Sequence, residues 1–293
     1  MRCEEPRFSI IMPTFNQAEY ILKSIGTVLN QDYPNWELII IDNSSDDGTK
    51  ALLANIQDSR IRIITCHNEG IIARSRNLGI RNSSNPWIAF LDSDDLWEAR
   101  KLSTIARIIQ KANPDVIYHR MRYVSKDVPG KRMRSRKLRK DAFIDLLANG
   151  NPIANSSVVV RKSALTKVGL ISELKELAGS EDFNTWLRIA KLKFNFYFCR
   201  RTLGGYRIHE KSYSISAQKV VHLNATEEFI SDMPIRVKTR MDGNNSYLMA
   251  RYFERDGEFG KAVENYKLTI KSGSFMQRAK ASLILIRGFL RQR

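Results

Sequence analysis

Asp92 and Asp94 are separated only by Ser93 and are followed at once by Asp95. Carboxylates at i and i+2 of an extended backbone point the same way. Two so aimed repel each other unless a proton or a cation lies between them, and hard oxygen donors suit Mg2+ or Mn2+. A divalent metal is therefore the natural cofactor, able to neutralise a diphosphate as it leaves. The competing reading is that these acids cap the next helix, a position Asp favours. A cap, however, needs one acid and not three.

A second acidic group is Gly179-Ser180-Glu181-Asp182, followed by Trp186, Leu187 and Ile189 at helical spacing. Ser180 could cap this helix, and its dipole would hold the neighbouring carboxylates ionised. If the helix start faces a crevice, an ionised Asp182 could serve as general base toward an attacking hydroxyl. The pattern alone leaves base and plain helix start equally open. A third cluster, Tyr206-Arg207-Ile208-His209 with Lys211 and Ser212 behind it, sets Arg and His at i and i+2. Such a pair suits a diphosphate or a metal, and it also suits an ordinary surface strand.

Positioning these groups requires a sheet. Ile- and Val-rich runs at Phe8 to Met12, Glu37 to Ile41, Ile61 to Thr65 and Trp87 to Leu91 alternate with helix-like stretches Ala18 to Leu29, Thr49 to Ile56 and Gly70 to Arg81. That alternation predicts a doubly wound parallel sheet over residues 8–112. Ligands bind such sheets at the carboxyl ends of the strands. Here the ends read Pro13-Thr14-Phe15-Asn16, Asp42-Asn43-Ser44 and Asp92-Ser93-Asp94-Asp95, so Asp42 and Asp92 are expected to share one crevice. Asp42 could accept hydrogen bonds from a ribose or a base.

Further strands are predicted at Val116 to His119, Ser156 to Val160 and Phe194 to Cys199, with helices at Ala142 to Leu147 and Asp182 to Lys191. The stretch after residue 120, with its Pro129-Gly130 turn, reads as a mobile loop. Beyond 216 the pattern is helical. Ala250, Phe253, Gly257, Phe259, Ala262 and Tyr266 fall at the spacing of one tetratricopeptide-like hairpin, which must pack on something else to bury its face. The expected domains are a catalytic one, 1–215, and a helical region, 216–293.

The formal charge of +17 is concentrated. Residues 120–140 hold ten Lys/Arg against one acid, and residues 271–293 hold six against none. The rest is nearly neutral, which argues against a nucleic-acid partner. In the terminal segment Met276, Ala279, Leu283, Ile286 and Leu290 form a stripe flanked by Lys280, Arg287 and Arg291. This pattern suits an anionic membrane surface and equally suits packing on the hairpin. The basic loop at 126–140 could steer an anionic acceptor or a membrane, or stay solvated. Three scattered cysteines, Cys3, Cys66 and Cys199, and no membrane-spanning or leader-like run lead to the expectation of a cytoplasmic protein, peripheral at most on the inner face of the membrane. The two Asn-Ser-Ser sequons at Asn43 and Asn155 then carry no glycosylation meaning.

Taken together, several segments resemble family 2 glycosyltransferases of the GT-A fold, from Phe8 to about Ser216. They are Ser9 to Asn16, Ile41 to Thr49, Arg76-Asn77-Leu78-Gly79, Phe90 to Asp95, Ser180-Glu181-Asp182 and Tyr206 to His209. The resemblance implies an α/β fold: a GT-A-type doubly wound sheet, mixed and mostly parallel, with a C-terminal helical extension. It implies that Pro13, Thr14, Asn16 and Asp42 help hold a nucleotide-sugar donor, UDP-linked by the family's commonest choice. Asp92 and Asp94 would match the metal motif, with Asp94 the direct ligand. Asp182 would match the base of inverting enzymes, Arg74 and Arg207 could contact the diphosphate, and His209 could approach the metal. The acceptor would be a saccharide or lipid-linked saccharide in cell-surface glycan synthesis. Where many relatives carry proline after the Trp, this chain reads Trp97-Glu98-Ala99. Two rivals remain to be weighed. A sugar nucleotidyltransferase should carry a glycine-rich basic loop after strand one, and Pro13 to Ala18 has neither glycine nor cation. A non-enzymatic adaptor on a transferase scaffold would have no use for the acids at 42, 92, 94 and 182.

Overall fold

The computed structural model describes residues 5–124, 130–209, 221–231 and 233–291, leaving aside the side chains of 221–223 and 287–291. Two compact units are present. The first comprises the described residues up to Leu138 together with those from Pro152 to 209; the second comprises Arg139–Asn151 and the described residues from 221 onward. The expected boundary at 215/216 lies outside the described residues.

In the first unit the chain runs β1 (Phe8–Thr14), α1 (Ile21–Leu29), β2 (Trp36–Asp42), α2 (Thr49–Ala54), β3 (Ile61–Thr65), α3 (Ile72–Arg81), β4 (Trp87–Phe90), β5 (Leu96–Trp97), α4 (Lys101–Ala112) and β6 (Val116–Val124). After the excursion into the second unit, which holds α5 (Ala142–Asn149), come β7 (Val159–Arg161), α6 (Lys162–Lys167), α7 (Glu181–Lys191) and β8 (Phe196–Arg207). The eight strands form one sheet in the order β3-β2-β1-β4-β7-β6-β8-β5. Strands β3, β2, β1 and β4 are parallel, β7 runs antiparallel between β4 and β6, β8 is parallel to β6, and β5 is antiparallel to β8. The mixed, mostly parallel sheet expected from the sequence is thus what forms.

β1, β2 and β4 are buried on both faces, as parallel strands between helix layers must be. Phe8, Ile10, Met12, Leu38, Ile40, Ala89 and Leu91 face α1 and α4, joining Ile21, Ile25, Val28, Leu102 and Ile105 in one core cluster. On the opposite face α3 lies close to β1 and β2. At Gly79 an added Cβ would come within 2.7 Å of both Ile11 Cγ2 and Ile41 Cδ1.

Three expectations change. The basic segment after 124 is not simply a loop: its described part returns along β6, with Tyr123 N donating to Lys131 O (2.7 Å), Met133 N to Met121 O (2.9 Å), and Leu138 buried. Apolar Met133 and Leu138, spaced among the cations, give this return something to bury; residues 125–129, including Pro129, lie outside the described residues. Asn155–Ser157 is a single 3-10 turn, so the strand expected from Ser156 begins only at Val159. Its serine and asparagine prefer local backbone bonds to a ladder. Finally, Phe196 to Arg207 is one strand, whose carboxyl end delivers the Arg207 cluster.

The second unit contains α5, α8 (Val221–Thr226), α9 (Ile235–Arg255), α10 (Phe259–Ser272) and α11 (Phe275–Arg291). α9 and α10 form the hairpin, turning at Gly257 with φ +78°. Ala250, Ala262 and Tyr266 are buried between them and Phe253 packs alongside, whereas Phe259 is 66% exposed. α11 packs through Ala281, Ile284 and Leu285. Of the stripe identified in the sequence, Met276, Leu283 and Ile286 are exposed and do not pack on the hairpin. Leu290, Arg287 and Arg291 have side chains outside the described residues. Among the described residues no helix is long and apolar enough to cross a membrane.

Candidate active site

The crevice at the carboxyl ends of β1, β2 and β4 can be built strand by strand. Thr14 and Asp42 are register partners at the last step of the β1–β2 ladder. Pro13 and Thr14 are buried, and Thr14 Oγ1 has no hydrogen-bond partner among the described residues. Asp42 is 1% exposed. Its Oδ1 accepts from Ser45 N (3.2 Å) and Ser45 Oγ (2.5 Å), while Oδ2 is buried and unpartnered. Buried oxygens of this kind are unfavourable unless something bonds to them, so this pair can accept donors from a bound molecule or water. Asn16 sits in the left-handed region (φ 52°). Its side chain both donates to Asp46 Oδ1 (2.8 Å) and accepts from Asp46 N (3.0 Å). Asn16 thus ties the loop after β1 to the loop after β2, which positions the crevice wall and leaves its amide committed.

After β4 the chain makes a turn, with Asp95 N donating to Asp92 O at 3.0 Å. The extended i, i+2 geometry expected for Asp92 and Asp94 is therefore absent. The acids separate, because each finds its own partner. Asp92 Oδ1 accepts from Arg76 (2.9 Å) and Asn155 (3.3 Å), while Asp92 N donates to Ser156 Oγ (3.0 Å). Asp94 Oδ2 meets His209 Nε2 at 2.9 Å. Arg207 locks the same turn, donating from Nε to Asp94 O (2.9 Å) and from its backbone N to Asp95 Oδ1 (3.0 Å). Arg207 and His209 both lie against the Tyr20 ring at the start of α1. Capping does not explain these acids: β5 intervenes, and α4 has no side-chain cap.

Burial, followed by repulsion from Asp92, pushes the Asp94 carboxyl above its ordinary range. Asp95, deeper still, is pushed well up by burial and then by Asp94 and Asp92. Burial is the larger cause for both and mutual repulsion the second. Among the described residues no three His, Cys, Asp or Glu side chains gather tightly enough to cage an ion. The donor set at Asp94 and His209 nevertheless fits Mn2+ or Mg2+ of the kind held by one or two protein groups plus substrate phosphates.

Arg76 joins this acidic turn to α7. It is 4% exposed and bridges Asp92 Oδ1 at 2.9 Å and Glu181 Oε1 at 2.6 Å. Burial opposes its charge, but the two carboxylates outweigh burial and hold it protonated. Asp182, next to Glu181, accepts from Phe183 N (2.6 Å). Its carboxyl is pushed up to about 7, first by burial and then by Glu181, with Arg76 working against both. That overturns the expectation that the helix dipole keeps it ionised: desolvation prevails. Nor does Ser180 cap α7, because its hydroxyl donates to Leu177 O at 3.1 Å.

Asp92, Asp94, Arg207 and His209 are therefore brought together, Thr14 and Asp42 stand side by side, and Asp182 is tied to Asp92 through Glu181 and Arg76. Arg74 is not part of this network. It is 37% exposed and pairs with Glu69 (2.6 Å) and Glu173 (3.8 Å). The cation missed as a site residue was Arg76, although α3 gave a signal: it occupies the buried helical stripe of Ala73, Arg76, Asn77 and Ile80, where a charge needs a reason.

Known proteins carry the same arrangement of elements. Residues 9–169 match the model of the family described as Glycosyl transferase family 2. The chain is 31% identical over 226 residues to the Escherichia coli UDP-Glc:alpha-D-GlcNAc-diphosphoundecaprenol beta-1,3-glucosyltransferase WfgD, covering 76% of this chain and 85% of that one. It is 27% identical over 304 residues to the Campylobacter jejuni GalNAc(5)-diNAcBac-PP-undecaprenol beta-1,3-glucosyltransferase, covering 96% and 93%. Among solved structures, the mannosyltransferase PcManGT of Pyrobaculum calidifontis, in complex with GDP-Man and Mn2+, superposes with a TM-score of 0.65 at 17% identity, over 99% of this chain and 82% of that one. The fold is of the GT-A type. With the family model spanning more than half of its length and a relative this similar across most of both sequences, the chain belongs to glycosyl transferase family 2 and is a glycosyltransferase.

Proposed function

We propose that the protein transfers a hexose from a UDP-linked donor to a hydroxyl of a lipid-linked saccharide, inverting the anomeric carbon, in cell-surface glycan synthesis. The observation that carries this reading is the grouping, around the carboxyl ends of β1, β2 and β4, of Asp42 with its unpartnered Oδ2 beside Thr14, the Asp94–His209 pair, and Asp182 tied to Asp92 through Glu181 and Arg76. The E. coli and C. jejuni relatives are named for undecaprenol-linked acceptors, and the former for UDP-Glc, which favours this donor and acceptor class. A dead-scaffold adaptor or a nucleotidyltransferase has no comparable support.

Asp42 Oδ2 and Thr14 Oγ1 receive donors from the nucleoside. Arg207, fixed by Asp94 O and stacked on Tyr20, faces the diphosphate end. Asp94 and His209 would hold Mn2+ or Mg2+; bound there, the ion supplies charge neutralisation to the departing diphosphate. Asp92 positions the turn through Arg76. Asp182 accepts the acceptor's hydroxyl proton as that oxygen bonds to the anomeric carbon and the bond from carbon to diphosphate oxygen breaks, its electron pair leaving with the diphosphate. A base near 7 is well matched to this task.

Asp182→Asn tests the assignment. Single-turnover transfer should fall about 10²- to 10⁴-fold while donor affinity, measured calorimetrically, stays at the wild-type value. Undiminished transfer would remove Asp182 from the mechanism.

A further inference from the structure

The first unit carries a concavity away from the acidic turn. Between α4 and the first half of β8 lies a groove of about 620 Å3. Phe196, Phe198 and Ile108 supply its apolar lining, and Tyr197, 38% exposed, adds an amphipathic ring. Five cations line it, Arg107, Lys111, Lys137, Arg200 and Arg201, and no acid does. None of the five forms an ion pair among the described residues; Arg107 donates only to Ser103 O, at 3.2 Å. Elsewhere in this unit Arg60 pairs with Asp58, Arg122 with Glu98 and Arg161 with Asp115. Like charges gathered without a counter-charge repel, so the groove is complementary to an anion that no described residue supplies.

The groove is not the donor site. Arg201 and Arg207 are six residues apart on β8, about 20 Å of strand, and only Arg207 reaches the acidic turn. We propose that this groove seats the phosphate headgroups of anionic membrane lipids. Several cations with long apolar stems, standing around aromatic rings and open to solvent, match a headgroup layer: the stems and rings lie among glycerol and acyl carbons while the charges meet phosphates. Each cation near an anionic leaflet is worth about 1 kcal/mol, roughly fivefold in binding. This docking does not depend on the chemistry at Asp182, so its failure leaves the transfer reading intact.

The full chain should pellet with vesicles containing 30% phosphatidylglycerol, release as NaCl rises from 50 to 500 mM, and ignore pure phosphatidylcholine vesicles. R107Q/K111Q/K137Q/R200Q/R201Q should lose on the order of a hundredfold or more in partitioning, with unchanged donor hydrolysis and melting temperature. Met276→Ser/Leu283→Ser/Ile286→Ser, which removes the exposed stripe of α11, should keep the salt-sensitive binding. Wild-type partitioning by the groove variant, or equal pelleting with both vesicle types, overturns the proposal. Titration of the wild type with soluble glycerophosphate gives the remaining outcome: tight binding of it, without vesicle binding, would assign the groove to a small anion instead.

Discussion

Arg76 is the residue on which the acidic turn and the start of α7 both depend. A buried cation between two carboxylates holds them only while it is present; removing it leaves Asp92 and Glu181 facing each other with no counter-charge. Such a loss costs about 3–5 kcal/mol. Arg76→Met should therefore lower the unfolding free energy by about that amount in urea titrations, whereas the half-buried Arg74→Met should change it by less than about 1 kcal/mol. The same neighbourhood sets a pH dependence. Asp182 must be ionised to accept a proton, and burial raises its carboxyl to about 7. kcat/KM should consequently rise with pH through about 7, level off above it, and fall about tenfold per unit below it. A flat profile from pH 5.5 to 8 would contradict the burial argument. At this scale the sequence revealed the acids and not their partners. Asp42, Asp92, Asp94 and Asp182 stand out by type and spacing. The pairing of Asp94 with His209, 115 residues later, and of Arg76 with Glu181, 105 later, depends on how the strands are ordered.

The elements explain why those partners meet. α3 can bring Arg76 under the acidic turn only because Gly79 lets the helix lie on β1 and β2. Gly79→Ala would push a methyl into Ile11 and Ile41, and overpacking of this kind costs about 1–3 kcal/mol. The variant should melt lower and show weakened donor binding, since α3 must move and carry Arg76 with it. β1, β2 and β4 were legible because both faces are buried and their Ile- and Val-rich runs are bounded by turn residues. β8 was legible only in part. The predicted strand stops at Cys199, yet the chain continues through Gly204-Gly205, where a Cβ at Gly204 would meet Met121 Sδ at 2.6 Å and one at Gly205 would meet Val124 Cγ2 at 2.5 Å, so these glycines mark close approach to β6. The two-residue β5 exists only because β8 is there to pair with it, and nothing local to Leu96-Trp97 announces it.

Across the whole molecule the charge is divided by role. Asp92, Asp94 and Asp95 crowd one another at the turn after β4, while cations without an ion pair among the described residues line the groove between α4 and β8. Net charge alone spoke for an anionic partner without saying where it would bind; the structure separates cations that are tied to the acids of the crevice, Arg76 and Arg207, from groove cations that have no acid beside them among the described residues. Fold class followed from the alternation of runs and helices, but the unit containing Arg139–Asn151 could not be read from sequence order, because that segment leaves the sheet and rejoins it at β7. The claim on which the rest depends is that the crevice holds a nucleoside diphosphate together with a divalent ion at Asp94. Calorimetric titration of UDP into the wild type and Asp94→Ala, with Mn2+ and with EDTA, tests it most directly. Mn2+ should tighten UDP binding at least tenfold in the wild type and have no effect in the variant; the same affinity in all four titrations would contradict it.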